Sequence, residues 1–158
     1  MARHSVNTEQ VSEADKAWFA GFFDGEGTIL ITRHQSRDLY YPLIQIVNTD
    51  IRAIQKCYEI WQCGHIATHL IRSSRKPYHL WRTTNKNAVE ILRAISPYLA
   101  IKKEQGLAVL WFASMHNRFY TRHIPHEQRK QQGIDFNKLL KDIRKGKDIS
   151  ISYQADLL

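Results

Sequence analysis

The sequence is short of what several common protein classes require. Its 158 residues hold two cysteines, Cys57 and Cys63, too few for a disulfide framework. No apolar run approaches the roughly 20 residues of a membrane span, and the opening stretch MARHSVNTEQ lacks the apolar core of a secretory signal. A reduced, intracellular protein with no membrane partner is the expectation. No segment is of low complexity and none reads as an interdomain linker, so residues 1–158 are expected to form one domain. Acid is scarce as well. Asp and Glu number 15 against 23 Lys and Arg, which leaves a formal charge of +8 and a pI near 9.6. That excess points to an anionic partner, above all nucleic acid. What remains is ordinary: 43% hydrophobic and 24% charged residues, in a chain long enough to bury a core.

The hydrophobic period changes several times along the chain. Ser12 can cap a helix that carries Trp18, Phe19, Phe22 and Phe23, with Asp15 near its positive end and Gly25 and Gly27 to stop it. Residues 28–34 alternate as a strand, with Ile29 and Ile31 on one face and Thr28, Thr32 and His34 on the other. A polar turn leads to a second strand, 40–47, with Ile44 and Ile46 opposed to Gln45. Asp50 starts a helix whose apolar positions are Ile51, Ile54, Tyr58 and Trp61, closed by Gly64. The order then recurs. Strands are expected over 65–72 and 78–84, and then a helix capped by Asn87 and ended by Pro97. A longer helix follows over 101–116, with Leu107, Leu110, Trp111 and Ser114 on one side. A basic linker over 117–132 leads to a last amphipathic helix through Phe136, Leu139, Leu140 and Ile143. Residues 149–153 fit a short strand or a disordered tail.

The stretch FAGFFDGEG, residues 19–27, is unusual. A helix apolar on every side must be buried on every side. It is either central in its own domain or shared between its own sheet and a partner. The small residues favour the second: Ala17 and Gly21 are four apart, as are Ala20 and Asp24, and such a stripe lets two helix backbones approach. Asp24 and Glu26 then sit at the helix C-terminus, where the macrodipole disfavours a carboxylate by up to about 1 kcal/mol. If two copies met along this helix, their Glu26 carboxylates would converge, and a divalent cation would reverse the sign of that repulsion. Hard oxygen ligands, with the Gly25 carbonyl beside them, suit Mg²⁺.

These nine residues resemble the signature of the LAGLIDADG homing endonucleases. The resemblance extends from about Ser12 to His116 in the order helix, two strands, helix, two strands, helix. It implies an α+β fold with an αββαββα core, a saddle-shaped antiparallel sheet that binds DNA, and C-terminal helices over 117–158. Only one signature is present, which is similar to the homodimeric branch. Two copies would pack through Ala17, Ala20, Gly21 and Asp24 and cut a roughly palindromic duplex site on both strands. By resemblance Glu26 is the metal ligand, joined by the Gly25 carbonyl, and Asp24 is structural. The family more often has Asp where Glu26 stands, one methylene shorter. The segment IQIVNTDIR places Asn48 and Arg52 beside the active site, with Asn48 where Gln is common. A helix-boundary residue and a solvated helix face are their plain alternatives. The segment PYLAIKKEQ brings in Lys102, with Lys103 as rival, to stabilise transition-state charge. The implied cofactor is Mg²⁺; Mn²⁺ or Ca²⁺ can occupy such a site, Ca²⁺ without supporting cleavage.

Strand parity assigns the DNA-reading face to Thr28, Thr32, His34, Tyr41 and Gln45 on the first hairpin. On the second it assigns His65, His69 and Trp81, with Arg72, Arg75 and Lys76 at the strand end and turn. Cys57, Cys63, His65 and His69 invite a zinc reading, but their spacing matches no usual zinc knuckle. The resemblance implies an intron-encoded endonuclease that hydrolyses both strands of DNA. It leaves two alternatives: an RNA maturase bound to intron RNA, and a DNA-binding regulator without cleavage.

Overall fold

A computed structural model describes residues 5–70, 76–116 and 123–146 of the chain. Helix α1 spans Glu13–Glu26. It begins as its sequence dictates, for Ser12 Oγ accepts from the Asp15 amide at 3.1 Å and donates to the Asp15 carboxylate at 2.7 Å. It runs through Gly25 and stops only at Gly27, whose extended backbone (φ −76°) donates to the Phe23 carbonyl. Gly27 is needed for space and not for its φ. A Cβ there would lie 2.3 Å from the Phe23 ring and 2.5 Å from its carbonyl oxygen.

Strands β1 (Gly27–His34), β2 (Leu39–Asn48), β3 (His65–His69) and β4 (Tyr78–Thr84) follow the expected order, β3 ending earlier than its alternation suggested. They form one antiparallel sheet in the order β1-β2-β4-β3. Helix α2 (Ile51–Trp61) joins β2 to β3, and α3 (Asn85–Ile95) follows β4. Helices α4 (Lys103–Met115) and α5 (His126–Arg144) follow. All pack on one face of the sheet through a single core that includes Phe19, Phe23, Ile29, Ile44, Trp61, Trp81, Leu92 and Phe112. Each such side chain contributes about 1.5–3 kcal/mol on burial. Phe19 meets Trp61 and Trp81 edge-on at 5.3 and 5.5 Å between centroids.

Several expectations need correction. On α2 the inner seam is Ile54, Cys57 and Trp61, and Tyr58 is 41% exposed. That helix closes at Gln62, in the left-handed region, before Gly64 is reached. The α3 cap is the backbone of Thr84, because Asn87 spends its side chain on the Val6 amide at 3.2 Å. On α4, Ala108, Val109 and Phe112 join Leu110 in the core while Trp111 stays partly exposed. The basic segment is helical from His126 onward. The reason lies in the tertiary structure: α5 lies along the free edge of β1. Asn137 Nδ2 donates to the Ile31 carbonyl at 2.9 Å and Arg144 to that of Ile29. Lys130 reaches Asp38 in the β1–β2 turn at 2.7 Å. The Asn137 and Arg144 bonds cover carbonyls that an edge strand otherwise offers to a foreign chain. Residues 149–153 lie outside the described residues. No helix among the described residues is long and apolar enough to cross a membrane.

Candidate active site and nucleic-acid interface

The two acids of α1 have opposite environments. Asp24 is 8% exposed, and both of its carboxylate oxygens are taken. The Ala100 amide donates to Oδ2 at 2.7 Å and the Lys102 amide to Oδ1 at 2.8 Å. Lys102 Nζ returns to donate to the Asp24 backbone carbonyl. The helix end is thereby capped, since a cation there satisfies an orphan carbonyl and suits the negative end of the dipole. The segment before α4 is clamped onto α1, and Lys102 is delivered beside the motif. Glu26 is exposed and has no hydrogen-bond or ion-pair partner among the described residues.

The sheet register brings the other candidates to the same end. Gly27, directly after Glu26, pairs with Ile46, and Asn48 ends the same strand two residues on. Asn48 Oδ1 accepts from the Asp50 amide at 2.8 Å, which is the boundary role weighed as its alternative. Arg52 makes a two-pronged contact with Asp50, at 3.0 Å from Nε to Oδ1 and 2.7 Å from Nη2 to Oδ2. The side-chain bonds from Arg52 hold the Asp50 carboxyl down at about 2, with help from the Arg52 amide.

No group of three or more His, Cys, Asp or Glu able to hold a metal lies together among the described residues. With Asp24 engaged, the oxygen donors left at the end of α1 are the Glu26 carboxylate and backbone carbonyls. Such donors fit a hard cation and not zinc. One carboxylate is a sparse donor set, so the rest of a hard cation's shell would come from water, phosphate oxygens or a second acid. The zinc alternative fails on placement. Cys57 and Cys63 are buried free thiols, whereas His65 and His69 are exposed on the sheet face turned away from the helices. Burial pushes the Cys57 thiol up to about 12 and raises that of Cys63.

The stripe on α1 also differs from its expected composition. Ala17 and Gly21 are exposed, but Ala20 is fully buried in the chain's own core and Asp24 is covered by the 100–102 segment. The open line is Ala14, Ala17, Gly21 and Gly25, and nothing lies within 4 Å of a Cβ built on either glycine. Beside it Trp18 stacks on Phe22, and Lys56 Nζ sits 4.1 Å from the Trp18 ring centroid. Ala14 and Gly25 continue the small-residue spacing three and four residues either side, so the pattern could have been extended from sequence.

On the outer face of the sheet, Thr28, Thr32, His34, Tyr41, Gln45, His65 and His69 all point away from the core strands' buried positions, as parity required. Trp81 does not. It pairs with Ile46 and Ile66 on the helix side, is fully buried, and donates its indole N–H to the Cys63 carbonyl at 3.0 Å. Its neighbour Arg82 takes the outer position and is exposed. The alternation Leu80, Trp81, Arg82 was ambiguous because both Leu80 and Trp81 are apolar. Lys76 is exposed; Arg72 and Arg75 lie outside the described residues.

The sequence matches no established family profile, and no curated protein matches it. Solved structures do. The chain is similar to the homing endonuclease I-CvuI in complex with its target in the presence of calcium, at 19% identity and TM-score 0.62, over 83% of this chain and 86% of that one. It is similar to the archaeal intron-encoded homing endonuclease I-Vdi141I in complex with DNA, at 16% identity and TM-score 0.64, over 92% and 91%. The LAGLIDADG homing endonuclease I-SmaMI bound to cleaved DNA matches at 18% identity and TM-score 0.58, over 85% of this chain but 45% of that one. The four-stranded antiparallel sheet, with the helices among the described residues packed against it, is therefore the LAGLIDADG homing endonuclease fold.

Proposed function

We propose that this chain is a LAGLIDADG homing endonuclease that, as a homodimer, cuts both strands of a long, roughly palindromic duplex site with a divalent metal, Mg²⁺ foremost. The observation that carries the reading is the contrast at the end of α1: an exposed Glu26, unpartnered among the described residues, beside an open stripe of small residues, on a fold whose relatives were solved on DNA. Two copies meeting through Ala14, Ala17, Gly21 and Gly25 bring two Glu26 carboxylates together and supply the acid that one chain lacks. Ile101, 75% exposed next to the clamped Lys102, adds apolar surface at the same end.

A divalent ion bound there supplies water activation and polarisation of the phosphoryl oxygen. The chain's own residues do the rest. Glu26 and the Gly25 carbonyl are the ligands. Lys102 keeps two ammonium protons beyond the one given to Asp24, and places positive charge near the developing negative charge of the phosphate. Among the described residues only the Asn48 oxygen is engaged, which leaves its amide nitrogen to orient solvent. Arg52, tied to Asp50, acts through that pair. The outer face of the sheet supplies the duplex contacts, and the excess of basic residues adds a salt-sensitive affinity for phosphates.

The test is cleavage of a randomised duplex library with Mg²⁺, sequencing the cut ends, with Glu26→Gln alongside. Long, roughly palindromic sites cut by the wild type only are expected. Enrichment of bound duplex without cut ends would replace the nuclease by a DNA-binding regulator. Binding of structured intron RNA in preference to duplex, again without cutting, would replace it by a maturase.

A further inference from the structure

The sheet register lines up four side chains in one row across all four strands. Thr28 lies opposite Gln45, Gln45 opposite Arg82, and Arg82 opposite His65. The row faces away from the helices, because the neighbouring positions Ile29, Ile44, Ile46 and Trp81 fill the core. On either side of it the facing rows are nearly all apolar: Leu30, Leu43 and Thr84 on one flank, Val47, Leu80 and Ala67 on the other. Leu43 and Leu80 are only 8% and 9% exposed although they point outward. Arg82 therefore rises from the middle of a largely apolar floor, on a strand that is paired on both sides.

Charge singles it out further. None of the four strands contains an Asp or Glu. Arg82 is the one Lys or Arg at an outward position of these strands, since Arg33 pairs with Tyr40 on the helix side and is bonded to Asp38. Arg82 itself has no hydrogen-bond or ion-pair partner among the described residues. An unneutralised guanidinium at the centre of a sheet face laid in the major groove faces base edges, which carry the sequence information that phosphate contacts lack. Its two-pronged donor edge matches O6 and N7 of guanine in the major groove, and Gln45 beside it matches adenine in the same way.

We propose that Arg82 is a specificity-determining residue that fixes a guanine at a set position of the duplex target. The inference rests on the reading of the sheet as a duplex-DNA interface. The experiment separates the two: selection of bound duplexes from a randomised library in EDTA, where no cutting occurs, for the wild type, Arg82→Lys and Arg82→Gln. The wild type is expected to enrich guanine at a fixed position. Arg82→Gln is expected to lose that preference by about 5- to 150-fold at that position and nowhere else, and Arg82→Lys to keep part of it. If Arg82→Gln enriches the same sequence as the wild type and binds all duplexes uniformly more weakly, Arg82 is a phosphate contact and the proposal falls while the interface stands. If the wild type enriches no duplex sequence, both fall. Arg82 is exposed, so circular dichroism of both variants is expected to match the wild type, and the lysine variant keeps the charge as an internal control.

Discussion

Helix α1 has two sides built from the same few residue types under opposite rules. The closed side carries Phe19, Ala20, Phe23 and Asp24, each less than a tenth exposed. The open side carries Ala14, Ala17, Gly21 and Gly25, each exposed. Alanine occurs on both. What separates the sides is that the rings on the closed side, Phe19 and Phe23, are fully buried, while Trp18 and Phe22 beside the open line stay partly exposed. The closed side gains by filling space, and the open side leaves room beside Gly21 and Gly25, where the proposal seats a second backbone. The two acids repeat the contrast: Asp24 is consumed by the fold, and Glu26 is exposed with no partner among the described residues.

That contrast can be broken most forcefully at Phe23. Phe23→Ala removes a ring from a filled core and is expected to cost about 3–5 kcal/mol, read from the urea midpoint. A loss below 1 kcal/mol would mean that this side is not core. Asp24→Ala comes next. It orphans the Ala100 and Lys102 amides, at about 1–3 kcal/mol for a buried donor left unpaired, and should speed hydrogen exchange at those two amides specifically. Unchanged exchange there would remove the clamp from the argument.

Gly21→Leu sharpens the comparison from the open side. No atom lies within 4 Å of its Cβ, so the fold should tolerate it within about 0.5 kcal/mol. If two copies pack as proposed, sedimentation should nevertheless show monomer for the variant and dimer for the wild type. A variant that stays dimeric would refute packing through this stripe. The smallest effect concerns Cys57. Its thiol, held at about 12 by burial against an ordinary 9.0, stays protonated in the folded chain while an unfolded thiol ionises. Its contribution to stability is thus full below about pH 9 and is lost as pH climbs toward 12. Cys57→Ala should flatten that alkaline slope, and an aromatic disulfide reagent at pH 8 should react with Cys57 only after unfolding.

Much of the fold was legible because periods change where elements change. Alternation at Ile29, Ile31, Ile44 and Ile46 placed the first hairpin to within a residue of its observed ends, and Ser12 and Asp50 capped α1 and α2 as their side chains predict. The failures share a cause. Trp81 was put on the wrong face because two apolar residues in succession carry no parity. Asn87 left its cap because Val6, 81 positions away, offered a donor. The start of α5 reads as a linker because its early residues are polar, yet two of them, His126 and Lys130, hold the β1–β2 turn at Arg37 and Asp38.

By itself the sequence determined the elements, their order, the charge of the surface and the grouping of small and acidic residues at the end of α1. All of these follow from local periodicity and composition. Only the tertiary structure decided which acid is occupied and which is free. The amides of Ala100 and Lys102, more than seventy residues away, take Asp24 and leave Glu26. Only the register, fixed by which strand faces the helices must cover, set Arg82 between Gln45 and His65 and turned Trp81 inward.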